Sequence, residues 1–273
     1  MRSSQFVGNE RGGVDPSQTD HPGGNSSHKQ GKIFVVGLGP GDEVHMTERA
    51  QNLWDEVEVV AGYKTYIDLI RPLIEGKEVV ATGMRQEIQR CREVVDIALK
   101  GQNVALVSSG DAGVYGMAGI LIECLAERDA LDQPLEIIPG VSAANAAASL
   151  LGAPLMHDYA VISLSDLLTP WEVIQKRVKL AGEGDFVIAI YNPKSKGRQE
   201  QIEWVRKTLL TYRERQTPVG IVREALRGDS QVIITTLEEF TQHPIDMLTT
   251  VIIGNSNTRV LGKYMVTPRG YKL

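Results

Sequence analysis

The stretch over residues 108–116 carries the residue types best suited to binding a small molecule. It follows an apolar strand at residues 104–107, and its glycines surround the carboxylate of Asp111. Glycine lets bare backbone approach a ligand, and in an open α/β sheet ligands bind at the carboxyl ends of the strands. The turn therefore predicts a ligand site. The alternative is a tight strand-to-helix turn in which Asp111 caps the helix.

A second glycine-rich string suggests a dinucleotide site, but its spacing argues against one. The string Gly37-Leu38-Gly39-Pro40-Gly41-Asp42 follows the first strand. A dinucleotide fingerprint needs glycine at the sixth position, where Asp42 stands, and an acidic residue at the end of the next strand, where the sequence has Ala61-Gly62-Tyr63. The string also lacks the lysine followed by Ser or Thr of a phosphate-binding loop.

The expected ligand therefore has no pyrophosphate, and S-adenosylmethionine has suitable chemistry. Its adenine needs an apolar slot with backbone partners, while its ribose and amino acid end need polar groups. Its sulfonium tolerates carbonyl oxygens and a nearby carboxylate.

Apolar strands alternate with amphipathic helices from Lys32 onward, and this order positions the turns. In the first half, helices are predicted over residues 47–55 (capped by Thr47), 66–70, 86–100 and 114–127, and an alanine-rich helix is ended by Gly152. Strands that alternate with helices in this way predict a mostly parallel sheet. Beyond Pro154 the sequence has more strands per helix, which predicts a mixed sheet.

The chain divides into three predicted parts. Residues 1–31 are rich in Gly, Ser, Asn and Gln and predict a disordered leader. Residues 32–153 and 154–273 each predict an α/β domain. The fold class is therefore α/β with two domains, a mostly parallel and then a mixed sheet, and an active site in the cleft between them, which is a favoured ligand site.

The overall composition limits the function further. Of the 273 residues, 42% are hydrophobic and 23% charged, which is typical of a soluble globular protein. The sequence has no run of about 18 apolar residues that could span a membrane and no secretion signal, so we expect a cytoplasmic protein. The net charge of -5 argues against nucleic acid as a partner. Cys91 and Cys124 are expected in the core, and no metal site is expected.

Four motifs in order resemble those of the tetrapyrrole methylases, the S-adenosylmethionine enzymes of corrin and siroheme synthesis. They are Val36-Gly37-Leu38-Gly39-Pro40-Gly41-Asp42, Ser109-Gly110-Asp111, Pro139-Gly140-Val141-Ser142-Ala143 and Tyr191-Asn192-Pro193. The resemblance covers about residues 32–270. It implies the tetrapyrrole methylase fold, S-adenosylmethionine as methyl donor, a tetrapyrrole substrate and a homodimer.

Four longer strings resemble the members of that family that methylate a corrin precursor at C-17 with contraction of the ring. They are His45-Met46-Thr47, Gly62-Tyr63-Lys64-Thr65-Tyr66, residues 163–171, and residues 191–198. The resemblance implies precorrin-3B or its cobalt counterpart as substrate and a product at the precorrin-4 stage. The alternatives are a methylase acting at another position of a corrin or siroheme precursor, a tetrapyrrole carrier, and an unrelated α/β oxidoreductase.

The resemblance also implies which residues contact the methyl donor. These are Pro40, Ser109, Gly110, Asp111, Val114, Ser142, Ala143, Asn192, Ala225 and Thr250. For Ala225 and Thr250 the alternative is ordinary core of the second domain.

Ring contraction is the step that should benefit from an acid or base of the protein. Methyl transfer itself needs both reactants held in line, which can supply up to about 7–11 kcal/mol, and the conjugated tetrapyrrole provides the nucleophilic carbon. The candidates near strand ends are Asp42, His45, Lys64 and Tyr66. The hypothesis is that His45 or Lys64 assists contraction. The alternative is that His45 lies in a solvated turn and Lys64 caps a helix.

A basic cluster, Lys194, Lys196 and Arg198, is the candidate for binding the substrate's acidic arms. An anionic substrate needs local positive charge in a protein of negative net charge, and Arg and Lys bind carboxylates well. Neutralising these charges should weaken substrate binding in a salt-dependent way and leave cofactor binding unchanged. The alternative is a solvated basic loop.

Overall fold

The computed structural model describes residues 30–83 and 85–272, so most of the predicted leader lies outside the described residues. The strands are β1 (Ile33–Gly37), β2 (Val59–Tyr63), β3 (Glu78–Thr82), β4 (Val104–Ser108), β5 (Leu135–Ile138), β6 (Gly152–Ala153), β7 (Tyr159–Ser163), β8 (Val187–Tyr191), β9 (Pro218–Arg223), β10 (Gln231–Thr236), β11 (Thr249–Ile253), β12 (Arg259–Leu261) and β13 (Tyr264–Val266). The helices are α1 (Glu48–Asn52), α2 (Lys64–Leu69), α3 (Glu87–Leu99), α4 (Ala118–Glu127), α5 (Ala143–Leu151), α6 (Trp171–Glu183) and α7 (Gln201–Leu209).

The first sheet is parallel throughout, as the alternation of strands and helices predicted. Its order is β3-β2-β4-β1-β5, and β1 and β4 are buried along their whole length. A strand that is buried on both faces of the sheet consists almost entirely of apolar residues, and for this reason the sequence predicted these two strands. The edge strand β3 was missed because it is half exposed and begins at a charged residue, Glu78.

Helices cover both faces of this sheet. Cys91 on α3 and Cys124 on α4 are both buried, as predicted, and burial raises the pKa of the Cys91 thiol to about 12. The predicted cap of α1 is present, because Thr47 Oγ1 accepts a hydrogen bond from Ala50 N at 3.3 Å.

The predicted helix start at Val114 is wrong. Tyr115 has a φ of 53°, which a helix cannot contain, so α4 begins at Ala118.

The second sheet is mixed, which confirms the other half of the fold prediction. Its order is β10-β9-β11-β8-β7; β7 and β8 are parallel and the remaining neighbours antiparallel. α6 and α7 contribute Ile174, Val178, Val205 and Leu209 to the core on one face. Among the described residues, no helix combines the length and the apolar character that crossing a membrane requires.

The connection between the sheets is more closely packed than two separate domains would require. Ala147 and Leu151 of α5 pack against Val222 and Ile252 of the second sheet. Directly after α5, β6 pairs with β13 near the end of the chain. The predicted boundary after residue 153 thus falls at the end of β6, and that division of the chain stays a prediction.

An ion-pair network on the first sheet predicts a measurable pH dependence of stability. Glu136 on β5 accepts hydrogen bonds from Arg49 Nε at 2.7 Å and Lys32 Nζ at 2.6 Å, and these cations, Arg49 first, lower its pKa from 4.5 to about 2. A lowered carboxylate pKa stabilises the fold above the unfolded pKa, and this stabilisation is lost as pH falls toward the folded value. We expect Glu136→Gln to cost on the order of 1 kcal/mol near neutral pH, with the cost disappearing between pH of about 4.5 and 2.

Urea unfolding at a series of pH values measures this difference. Glu43→Gln is the matched control, because Glu43 is exposed and has no ion pair among the described residues. A Glu136→Gln effect that does not change with pH would contradict the assignment.

Candidate functional site

A cleft of about 350 Å³ lies between the two sheets at the carboxyl ends of several strands. Its walls come from the loops after β1, β4 and β5, from the ends of β8 and β9, and from the start of β11. The lining residues are Pro40, Tyr63, Thr65, Tyr66, Ser109, Gly110, Asp111, Val114, Tyr115, Ser142, Ala143, Ala146, Tyr191, Asn192, Glu224, Ala225, Arg227, Met247, Leu248, Thr249 and Thr250. Every residue predicted to contact the methyl donor is among them.

Glycines in the loops after β1, β4 and β5 of the first sheet let these loops pack backbone against backbone. Gly39 and Gly110 form a two-way bridge, with N···O distances of 3.0 and 2.7 Å. A side chain at Gly37 would lie 2.7 Å from Gly140 N and 2.8 Å from Gly110 O. Of these glycines, Gly110 belongs to the turn that we predicted as open backbone for a ligand. Gly110 does line the cleft, but their main requirement is close packing of the loops on one another.

Asp111 holds two of these loops together. Its carboxylate accepts hydrogen bonds from Gly113 N at 2.8 Å and from Gly140 N at 3.0 Å. Because α4 begins seven residues later at Ala118, Asp111 is not a helix cap. The carboxylate therefore orders the turn on which the predicted cofactor residues lie.

Asn192, directly after β8 of the second sheet, has an unusual backbone conformation. Its φ of 50° is in the left-handed region, which Asn tolerates better than most residues. Its Nδ2 donates to Ser163 Oγ at 2.9 Å, and its carbonyl accepts from Arg198 Nη2 at 2.8 Å. The preceding residue, Tyr191, accepts a hydrogen bond from Ala144 N at 2.8 Å through its hydroxyl. The strand-end motif thus links the second sheet to the start of α5.

Two residues that sequence reasoning missed also connect the two halves of the chain across the cleft. Arg227 donates to Pro40 O at 2.7 Å and to Ser109 Oγ at 3.0 Å. Tyr115 donates to Val161 O at 3.3 Å and accepts from Ser163 N at 3.2 Å through its hydroxyl. No local signal identifies Arg227, whereas Tyr115 lies inside the turn that the sequence singled out.

The predicted catalytic residues do not gather in the cleft. Asp42, His45 and Lys64 are not among the lining residues, and Lys64 Nζ is paired with Asp68 at 2.7 Å. Tyr66 alone of the four candidates lines the cleft, and burial raises the pKa of its hydroxyl. A part for His45 or Lys64 in ring contraction stays a prediction.

The predicted basic cluster is also divided. Lys196 is exposed, whereas Arg198 is only 6% exposed and donates to Asn192 O and, at 3.6 Å, to Met247 Sδ. Burial lowers the pKa of Arg198. Arg198 thus contacts two residues that line the cleft, Asn192 and Met247, but does not line it itself. Lys194 and Lys196 do not line the cleft either. Among the described residues, no group of His, Cys, Asp and Glu has the arrangement of a metal site.

Comparison with known proteins identifies the class of protein that this fold and cleft define. Residues 32–241 match the family model described as Tetrapyrrole (Corrin/Porphyrin) Methylases. The chain belongs to the tetrapyrrole methylase family, and by that membership it is a methyltransferase. The family prediction from the four motifs is confirmed.

Individual relatives agree with this membership. A cobalt-factor III methyltransferase of Priestia megaterium is 49% identical over 246 residues, which are 89% of this chain but 46% of that protein, so the chain spans about half of it. A probable cobalt-factor III C(17)-methyltransferase of Salmonella typhimurium is 49% identical over 241 residues, 88% of this chain and 100% of that protein. The crystal structure of the methyltransferase CobJ superposes with a TM-score of 0.83 and 37% identity, covering 87% of this chain and 100% of that one.

Proposed function

We propose that this protein transfers a methyl group from S-adenosylmethionine to C-17 of a corrin precursor and promotes contraction of the ring. The substrate is cobalt-factor III or its metal-free counterpart precorrin-3B, and the product belongs to the precorrin-4 stage of cobalamin synthesis. The observation that carries the proposal is the cleft, which is lined by the residues of all four family motifs. The name of the relative from Salmonella supports the position of methylation, and the names of the relatives from Priestia and Salmonella both support cobalt-factor III as substrate.

The lining of the cleft fits the methyl donor. Ala143, Ala146 and Ala225 provide the small apolar surface that an adenine ring needs. Ser109, Ser142 and Thr250 provide hydroxyls for the ribose and the amino acid end, and Gly110 leaves its backbone uncovered by a side chain. The cleft volume, about 350 Å³, lies within the range of small-molecule sites. When bound, the donor supplies an electrophilic methyl group on its sulfonium.

The protein contributes mainly by holding the two reactants in place. Asp111 and Arg227 order the loops that carry Pro40 and Ser109, and Arg198 does the same for Asn192. Rigid support of this kind lowers the entropic part of the barrier without an acid or base. For ring contraction, Tyr66 is the one of the four candidate residues that lines the cleft, and its protonated hydroxyl can donate a hydrogen bond there.

Turnover of a defined substrate tests the proposal. Purified protein is incubated with methyl-labelled S-adenosylmethionine and either cobalt-factor III or precorrin-3B, and the product mass, methyl position and absorption spectrum are recorded. We expect one added methyl at C-17 and the spectrum of a contracted ring. Methylation at another carbon would favour the alternative, a methylase acting elsewhere on a corrin or siroheme precursor, and the two substrates distinguish the cobalt from the metal-free route.

Replacement of Arg198 separates a supporting residue from a substrate-binding residue. We expect Arg198→Met to weaken S-adenosylhomocysteine binding about 10-fold, because Asn192 O loses its charged donor. Lys196→Met is the matched control and should leave that affinity unchanged, since Lys196 is exposed. Isothermal titration calorimetry measures both. A loss of tetrapyrrole affinity alone in Arg198→Met would restore the original assignment of Arg198 to the substrate.

The family resemblance implies a homodimer, and the sequence composition predicts a cytoplasmic location; both stay predictions. Sedimentation of the purified protein measures the first. Fractionation of cells measures the second.

A further inference from the structure

A second cavity adjoins the cleft and has a different chemical character. Its volume is about 190 Å³, and it shares Tyr63, Tyr66, Ser109 and Tyr115 with the cleft. We call it the side cavity. Its other lining residues are Glu87, Arg90, Val107, Ser108, Gly116 and Met117.

Arg90 is the buried cation of the side cavity. Its side chain is 3% exposed. Nε donates to Thr82 Oγ1 at 2.6 Å, Nη2 donates to Gly83 O at 3.1 Å, and the acceptor recorded for Nη1 is Met117 Sδ at 3.8 Å. All of these partners, which belong to the described part of the chain, are uncharged.

Such a cation is expensive to bury, because buried charges are normally paired with an opposite charge. Burial lowers the pKa of Arg90, and the carboxylate of Glu87 partly opposes this effect. A thioether is a weak acceptor, so the Nη1 hydrogen remains available for a stronger one. Among the described residues, the acceptors of the guanidinium are therefore all uncharged, and Nη1 can donate to an anion in the side cavity.

The tyrosines on the shared wall supply a further donor. The rings of Tyr63 and Tyr66 lie 5.3 Å apart, edge to face. Burial raises the pKa of Tyr66, and the charges of Arg227 and Arg90 oppose this rise. The hydroxyl of Tyr66 thus lies within electrostatic reach of both arginines and keeps its proton for donation.

We propose that the side cavity binds one carboxylate-bearing arm of the tetrapyrrole, with Arg90 as the ion-pairing partner and the Tyr66 hydroxyl as a second donor. This inference rests on the proposed function, which brings a polycarboxylate ring into the adjoining cleft. A planar guanidinium is suited to a carboxylate. Anchoring one arm restricts rotation of the ring and so selects the carbon that faces the methyl donor. Glu87, which also lines the side cavity, repels the arm and limits its affinity.

Four proteins test the assignment: wild type, Arg90→Met, Arg90→Lys and Glu87→Gln. The tetrapyrrole, cobalt-factor III, is titrated by calorimetry and used as substrate in steady-state kinetics, and S-adenosylhomocysteine is titrated separately. We expect Arg90→Met to raise the Kd and KM for the tetrapyrrole about 10- to 100-fold and Arg90→Lys to raise them less. We expect Glu87→Gln to lower both about 2- to 5-fold. The affinity for S-adenosylhomocysteine should be unchanged throughout.

Substrates in which a single acidic arm is amidated provide a second readout that a purely structural role of Arg90 would not affect. Wild type should bind one monoamide much more weakly than the acid, and Arg90→Met should no longer distinguish that monoamide from the acid. A wild type that treats all monoamides alike would overturn the proposal.

Failure of this proposal and failure of the proposed function are distinguishable. Absence of methylation by wild type contradicts the proposed function, while the binding titrations still report on the side cavity. A wild-type Kd for the tetrapyrrole in a folded Arg90→Met protein overturns the side-cavity proposal. If Arg90→Met does not fold, Glu87→Gln decides, because an unchanged or raised Kd in that variant also overturns it.

Discussion

Replacing Gly140 by Ala is expected to destabilise the protein by about 3 kcal/mol and to abolish binding of S-adenosylhomocysteine. A side chain at this position would overlap Gly110 O and lie 2.7 Å from Gly37 O. Both obstacles are backbone atoms, so no side-chain rotation relieves the overlap. The loops after β1, β4 and β5 must then separate, and these loops carry Pro40, Ser109 and Ser142.

Urea unfolding and calorimetry with S-adenosylhomocysteine measure the two effects. Gly119→Ala is the matched control, because Gly119 lies in α4 with no atom within 4 Å of the added methyl group. It should stabilise the protein by up to about 1 kcal/mol through helix propensity. Wild-type stability and affinity in Gly140→Ala would show that the close loop contact is not needed.

Arg227→Met should reduce affinity for S-adenosylhomocysteine about 100-fold with a much smaller effect on stability. Arg227 is the residue from the second half of the chain that donates to both Pro40 O and Ser109 Oγ. Its own loop is fixed, since Ser230 Oγ accepts from Leu226 N at 2.9 Å and donates to Glu224 O at 3.0 Å. The arginine therefore holds the cofactor loops at a defined position against the second sheet.

Calorimetry also tests this prediction. Arg227→Lys should recover only part of the affinity, because one ammonium does not reproduce two donors of a planar fork. Arg215→Met is the control, since Arg215 is 75% exposed and pairs with Glu238 on the surface. Equal affinity in Arg227→Met and in the control would mean that the hydrogen bonds from Arg227 to Pro40 and Ser109 contribute nothing to the site.

The two replacements show why some site residues were predictable and others were not. Gly110 and Asp111 lie two and three residues after the buried strand β4, and Ser142 lies four residues after β5, so the apolar residues of these strands mark their place at the edge of the sheet. Arg90 and Arg227 lie in a helix and in a loop whose local sequences resemble ordinary surface. Both arginines matter because of residues that they contact in the folded structure, and the spacing of residues along the chain does not predict those contacts.

The basic cluster is the converse case, because residues that are close in the sequence do not form one site in the structure. Lys194, Lys196 and Arg198 look like one anion-binding surface in the sequence. In the structure, a tight turn pairs Ser195 with Arg198 through backbone hydrogen bonds, and Arg198 enters the core while Lys196 stays in solvent. Positive charge reaches the cleft from Arg227 and the side cavity from Arg90.

We could predict from the amino-acid pattern alone the parallel and mixed sheets, the turns that hold the predicted cofactor residues, and the family. These are local properties, because apolar periodicity and the position of a glycine can each be recognised from a few neighbouring residues. The folded structure was needed to show that the glycines pack loop against loop, that α5 packs on the second sheet, and which arginines reach the cavities. Those outcomes depend on contacts between residues far apart in the chain, and their free energies exist only once the two sheets have come together.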